Sequence, residues 1–309
     1  MATLLVSHPA FYGHVTPLGH PERPDRLRAV DRILEHERFQ SLQRESAPRS
    51  AVESLLLAHP EAHVQAVAEA VPEEEGLVRL DDDTTVSQGS WDAALRGVGA
   101  ATIAVDEVMT GIVRNAFCAI RPPGHHAEHN KAMGFCLFNN AAIAARHAQK
   151  VHGAERVAIM DFDVHHGNGT HDIFWEDKTV MYASTHQMPL YPGTGAANET
   201  GAGTIVNAPL DPGAGGAEFR EAMDIAILPR IEEFSPDLII ISAGFDGHAR
   251  DPLGHLNLVE ADFAWATRKL MEIADRKCGS RVVSVLEGGY DLEGLARSVA
   301  AHVMTLMAP

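Results

Sequence analysis

The chain has 309 residues, 45% of them apolar and 22% charged, and a formal net charge of −17, which works against direct nucleic-acid binding because such affinity rests on Lys and Arg contacts to phosphate. No apolar run approaches the ~18 residues that cross a bilayer, and the first residues lack the basic start and apolar stretch of a secretory leader, so a cytoplasmic protein without membrane attachment is expected. Cys118, Cys136 and Cys278 are far apart, which supports neither a disulfide framework nor a cysteine zinc site and leaves buried free thiols.

Along the chain, short β-rich runs alternate with helical patterns. TLLVS from Thr3 is a strand candidate, 24–37 and 90–110 are helix candidates, and AFCAI from Ala116 is the next strand. A helix at 139–152 then leads to the strands RVAIM from Arg156 and TVMYAS from Thr179. The helix 216–233, the strand DLIIIS from Asp237, the helix 260–276, the strand RVVSVL from Arg281 and the helix 292–307 complete the series. This order predicts an α/β fold, a multistranded and mainly parallel sheet with helices on both faces. Without an internal repeat, low-complexity tract or shift in composition, residues 1–309 read as a single domain. The glycine-rich PGTGAANETGAG from Pro192 lacks both a P-loop lysine and a strand-to-helix context, so it reads as an ordinary loop.

Four strands run directly into unusual polar segments. AFCAI leads to RPPGHHAEHNKAMGFCLFNN, RVAIM to DFDVHHGNG, DLIIIS to AGFDGHARDPLG, and RVVSVL to EGGYDLEG. In a parallel sheet such C-terminal ends converge on one crevice. Strand alternation would put Asp161, Asp163 and His165 on one face, with the glycines after them breaking the strand and Thr170 capping a short helix. A metal would take Asp163, His165 and Asp246 and keep coordination positions open, a ligand set that suits catalytic Zn²⁺ but also accepts Fe²⁺ or Mn²⁺. Without a cation, this many buried carboxylates would be very costly. His125 and His126, after a rigid Pro-Pro-Gly turn, are suited to acid and base work, and Asp161 to orienting one imidazole. Tyr290, after Gly288 and Gly289, is suited to donating a hydrogen bond to a developing oxyanion.

Taken together, His20-Pro21-Glu22-Arg23-Pro24, RPPGHH, GFCLFNNAAIAARHA, DFDVHHGNGTHDIF, SAGFD and EGGYDL resemble the histone deacetylase and acetylpolyamine amidohydrolase family, closest to its class II-like bacterial members. The resemblance implies an arginase/deacetylase-like single domain and a zinc-dependent deacetylase that hydrolyses acetyl-amides to amine and acetate. It implies Zn²⁺ on Asp163, His165 and Asp246, His126 as general base and then acid, His125 as its electrostatic partner, and Tyr290 on the acetyl carbonyl. A structural K⁺ is implied on Asp161, Asp163, His165, Ser184 and Thr185. Phe135 and Tyr191 match the aromatic tunnel walls, with Gly134 and Gly288 as further substrate contacts and Asp83 as the aspartate that grips substrate amides.

Asn168 stands where some members have an aspartate, which should make His126 less basic, and Tyr191 replaces a frequent phenylalanine. Leu253 occupies the position of the acidic gatekeeper of polyamine-specific relatives, favouring an acetylated lysine peptide or another small acylated amine over a free polyamine. Glu22 and Asp81, Asp82 and Asp83 are the acids available to supply rim charge for the acetylpolyamine alternative. The N-terminal part is shorter than the dimer-forming insertion of many bacterial acetylpolyamine amidohydrolases, while a homo-oligomer stays open. A non-catalytic acyl-amine-binding protein and an arginase-like hydrolase with two Mn²⁺ ions are the remaining alternatives. The intact catalytic set argues against the first, and Tyr290 with the RPPGHH segment argues against the second.

Overall fold

The computed structural model describes residues 2–308. Among them the strands are β1 (Thr3–Ser7), β2 (Gln43–Ser46), β3 (Leu77–Arg79), β4 (Thr85–Ser87), β5 (Asn115–Cys118), β6 (Val157–Asp161), β7 (Val180–Gln187), β8 (Ile205–Leu210), β9 (Leu238–Ala243) and β10 (Val282–Leu286). Eight of them form one sheet in the order β2-β1-β5-β10-β9-β6-β7-β8, parallel throughout, and β3 pairs with β4 in a separate antiparallel hairpin. Every residue of β5, β6, β7, β9 and β10 is buried, which is why these strands read as apolar runs rather than alternating ones. The two edge strands carry no such signal: β2 is QRES, with polar residues at every position, and β8 contains Asn207 and Pro209.

The helices are α1 (Asp25–Leu34), α2 (Glu61–Ala70), α3 (Ser90–Met109), α4 (Asn140–His152), α5 (Asn168–Ile173), α6 (Gly216–Ala222), α7 (Leu228–Phe234), α8 (Glu260–Lys277) and α9 (Leu292–Met307). Local chemistry sets their ends. Asn139 Oδ1 accepts from Ala142 N at 2.9 Å to start α4, and Gly153, in the left-handed region at φ 69°, ends it. The helix predicted over 216–233 is instead α6 and α7 joined by a π turn at Met223–Ile227, just before Pro229, which has no N–H to donate. Helices α3 and α4 pack together over one side of the sheet, while α9 packs against α1 and α8 over the other.

Because β5, β10, β9 and β6 are consecutive neighbours, the four polar segments leave the sheet side by side. The three cysteines are buried and free, as expected. No helix among the described residues is long and apolar enough to cross a membrane.

Candidate active site

The row of acids is built differently from the strand alternation expected for it. Strand β6 stops at Asp161, so Asp163 and His165 stand on the loop beyond it. That loop is folded by its own carboxylates: Asp163 N donates to Asp161 Oδ1 at 3.1 Å, and His165 N donates to Asp163 Oδ1 at 2.9 Å. Thr170 lies inside α5 rather than at its cap, since Gly167 precedes the helix, and its hydroxyl accepts from Asn139 Nδ2 at 3.0 Å.

Asp163, His165 and Asp246 come together, with one ligand atom from each within 4.8 Å of the others. His165 Nδ1 lies 3.1 Å from Asp163 Oδ1 and 3.0 Å from Asp246 Oδ2. All three side chains are buried. Burial acts against charge on His165, yet the two carboxylates hold its imidazole up at about 10. Burial and then the charge of Asp163 push Asp246 up to about 7. Two buried carboxylates thus both lean on the His165 imidazole, and a divalent cation bound by these same atoms would satisfy both. The donor set fits such an ion, and the backbone supports it. Val164 N donates to Asp246 Oδ1 at 2.9 Å and Gly288 N to Asp163 Oδ2 at 2.8 Å, so each carboxylate is oriented from behind. Gly288, expected at the substrate, sits behind the acids, where a Cβ would overlap both carboxylates.

His125 and His126 are adjacent but set in opposite electrostatic states. His125 Nδ1 donates to Asp161 Oδ2 at 2.9 Å, and its Nε2 lies 3.7 Å from Asp163 Oδ2; burial opposes protonation, but the two aspartates hold this imidazole well above its ordinary value. Burial, then the neighbouring His125 and His165, drive His126 well below its ordinary value. Its Nδ1 lies 2.8 Å from Asn168 Oδ1, while Asn168 Nδ2 donates to Glu128 Oε1 at 2.7 Å. Glu128 therefore fixes which way the Asn168 amide faces, the amide oxygen accepts the hydrogen bond that Nδ1–H of His126 donates, and Nε2 keeps its lone pair. The Asn168 contact itself favours the protonated ring, so the low proton affinity of His126 comes from burial and the two neighbouring histidines rather than from Asn168.

Two supporting acids lie within the polar segments after β9 and β10, where the sequence alone assigns them no role. Glu287, the first residue of EGGYDL, is fully buried; its carboxylate accepts from Gly124 N at 2.7 Å, His125 N at 3.1 Å and Ser242 Oγ at 3.1 Å, pinning the histidine loop. Burial raises it to about 7. Asp251 accepts from Tyr290 N at 2.7 Å and from Leu253 N at 3.0 Å, tying the tyrosine to the opposite wall.

A cavity of about 220 Å³ opens above this cluster, lined by Asp83, His126, Gly134, Phe135, His165, Leu190, Tyr191, Leu253 and Tyr290. Phe135 faces Tyr290 edge-on at 5.8 Å between centroids, and Tyr191 meets His126 at 5.2 Å. Gly134 must be glycine, because a Cβ would run into the His126 ring, and it and Phe135 both adopt the left-handed region at φ 57° and 69°. That strained turn is held by Asp83 Oδ1, which accepts from Gly134 N at 3.0 Å, and by Thr84 Oγ1, which accepts from Phe135 N at 3.0 Å. Asp83 is therefore at the mouth as expected, with one carboxylate oxygen already engaged.

Glu22 is not at the rim. It is fully buried between Arg26 and Arg121, so it supplies no surface charge. Asp81 pairs with Lys131 at 3.1 Å and the exposed Asp82 with Arg79 at 2.9 Å, which leaves Asp83 as the acid of that group on the cavity wall. On β7, Ser184 is the register partner of Asp161, and the buried Thr185 hydroxyl has no hydrogen-bond partner among the described residues.

The histone deacetylase domain profile matches residues 20–306. A probable deacetylase of Archaeoglobus fulgidus is 39% identical over 315 residues, spanning 100% of this chain and 87% of the archaeal protein. The polyamine deacetylase HDAC10 of Homo sapiens is 38% identical over 301 residues, spanning 93% of this chain and 44% of the human protein. Among solved structures, the crystal structure of the HDA15 HD domain superposes with a TM-score of 0.92 at 37% identity, covering 98% of this chain and 88% of that one.

Proposed function

The chain belongs to the histone deacetylase family and is a hydrolytic deacetylase; from that premise we propose that residues 1–309 form one zinc-dependent catalytic domain, acting in the cytoplasm on acetyl-lysine side chains or similar small acyl-amides. The observation that carries the reading is the buried Asp163, His165 and Asp246 cluster at the foot of a cavity walled by His126 and Tyr290. Asp163, His165 and Asp246 would hold Zn²⁺, which when bound supplies Lewis acidity toward a carbonyl oxygen and lowers the pKa of water. His126, whose Nε2 lone pair is kept free by the Asn168 contact, takes the proton of the attacking water and returns it to the leaving amine. His125, held positive by Asp161 and Asp163, favours negative charge developing beside it. The Tyr290 hydroxyl donates to the oxyanion, and collapse of the tetrahedral species releases acetate and the amine. Phe135 and Tyr191 flank the alkyl stem, and the backbone at Gly134 meets the substrate amide. A structural K⁺ is part of this reading, with Asp161, Asp163, His165, Ser184 and Thr185 as its surroundings; the orphaned Thr185 hydroxyl supports it.

Leu253 on the cavity wall favours acyl-lysine over polyamine, since an apolar side chain gives a second cation no partner. The test is acetate release from an acetyl-lysine peptide and from N-acetylputrescine, with zinc-loaded and chelator-treated protein and with Leu253→Glu. Chelator-sensitive preference for the peptide, moved toward acetylputrescine by Leu253→Glu, is expected. Preference of the unaltered protein for acetylputrescine would overturn the substrate reading, and full activity of Asp246→Ala would overturn the metal assignment.

A further inference from the structure

Far from the cavity, three side chains at the ends of two helices form a second cluster of metal-ligating atoms. Asp106 is in the last turn of α3, His152 is the final residue of α4, and His147 lies five positions before it. His147 Nε2 and His152 Nε2 each lie 2.7 Å from the same atom, Asp106 Oδ1, and the three ligand atoms are all within 4.8 Å of one another. With metal bonds of about 2.0–2.1 Å, tetrahedral ligand atoms stand a little over 3 Å apart, so a small outward shift of the two rings would admit an ion. The histidine side chains are 17% and 16% exposed and that of Asp106 is 45% exposed, which leaves a face open to solvent.

Two features make the spot suited to a cation rather than to a chance contact. Both helices end there, and the C-terminal turn of a helix carries partial negative charge from its aligned peptide dipoles. Glu107, next to Asp106, adds a further acid. The topology also separates this cluster from the cavity. Helix α3 precedes β5 and α4 precedes β6, so the cluster lies at the edge of the sheet where those parallel strands begin, opposite the edge where the candidate active site sits.

We propose that Asp106, His147 and His152 form a second metal site for a divalent transition ion of the Zn²⁺ class, with water completing the coordination, which clamps the end of α3 to the end of α4. Two imidazoles and one carboxylate select such an ion over Mg²⁺, a hard cation that prefers oxygen. The site is independent of the deacetylase reading, because it shares no residue with Asp163, His165 and Asp246.

The experiment is equilibrium dialysis of metal-stripped protein against buffered micromolar Zn²⁺, with bound zinc read by mass spectrometry, for wild type, the His147→Gln/His152→Gln double variant and Asp163→Ala. Glutamine keeps an N–H donor for Asp106, so the double variant should fold, and circular dichroism checks that it does. The expected result is two equivalents on wild type and one on the double variant. Asp163→Ala should keep one equivalent, and this should disappear when both histidines are also replaced. Zinc should also raise the melting temperature of Asp163→Ala but not of the combined variant. Equal zinc on wild type and the folded double variant, or binding of Mg²⁺ as tight as that of Zn²⁺ at the retained site of Asp163→Ala, would overturn the proposal. Because failure of the active-site assignment would instead appear as Asp163→Ala losing nothing, the two readings are separated.

Discussion

Replacing Glu22 by glutamine tests the coupling between the N-terminal segment and the catalytic edge of the sheet. Glu22 Oε1 accepts from Arg121 Nε at 2.6 Å and from Arg26 Nη1 at 3.0 Å, and Oε2 accepts from Arg121 Nη2 at 2.7 Å, with all three side chains 0% exposed. Arg26 in turn donates to Gly289 O at 2.6 Å and Glu287 O at 2.5 Å, and its guanidinium lies 4.9 Å from the centre of the Tyr290 ring. Glutamine keeps one acceptor but turns N–H groups toward a guanidinium and removes the shared negative charge. Burial opposes ionisation of Glu22, yet Arg121 and Arg26 bring it from 4.5 down to about 2. That separation is worth about 3 kcal/mol at roughly 1.4 kcal/mol per tenfold change in proton affinity, within the ~3–5 kcal/mol expected for breaking a buried pair. A folded-state pKa below the unfolded one means this stability is fully present above pH 4.5 and is lost as pH falls from 4.5 through about 2. Urea unfolding at neutral pH should therefore show Glu22→Gln about 3 kcal/mol less stable, with a melting temperature lower by roughly 5 °C at ~2.1 cal/mol/K of unfolding entropy per residue over 309 residues. The gap should narrow at about pH 3. A loss below about 1 kcal/mol, or a gap that widens in acid, would refute the reasoning. Turnover should fall with little change in KM, because Arg26, which holds Gly289 O and Glu287 O beside Tyr290, loses its carboxylate partner while Asp251 still holds the Tyr290 N–H.

Tyr290→Phe should keep zinc content and fold while kcat falls on the order of 10²–10³-fold, the usual consequence of losing one oxyanion donor; a loss under threefold would remove the tyrosine from the mechanism. In Gly288→Ala the new Cβ overlaps both the Asp163 and Asp246 carboxylates, so zinc retention after gel filtration should drop together with activity. For His126, burial first and then His125 and His165 keep the proton off, so its basic form persists below pH 6.5 and the acid limb of kcat/KM should lie below that value. Asn168→Asp places a carboxylate on Nδ1, raises the proton affinity of His126, and should move that limb up by about one pH unit or more; an unmoved limb would mean that a different group titrates.

What the chain determines without its fold is the chemistry that must be brought together. Uninterrupted apolar strands predict a sheet buried on both faces, and their polar C-terminal extensions mark the edge at which Asp163, His165, Asp246, His126 and Tyr290 meet, because a parallel sheet delivers all such ends to one side. The motif spacing also leads to the family that the match over residues 20–306 establishes. Tertiary structure decided the rest, since long-range partners are invisible in a local pattern. Glu22 looks like a solvated loop acid until Arg121, which lies 99 positions away, closes on it. Glu287, Asp251 and Glu128 acquire their roles only from the backbone and side chains they reach across strand ends. Strand β6 ends at Asp161, four residues before the His165 that alternation would place on it, because the Asp161 and Asp163 carboxylates capture the N–H groups of Asp163 and His165 and turn the chain into a loop. The Asp106, His147 and His152 cluster likewise exists only because α3 and α4 end side by side, bringing groups 41 and 46 positions apart onto a single oxygen.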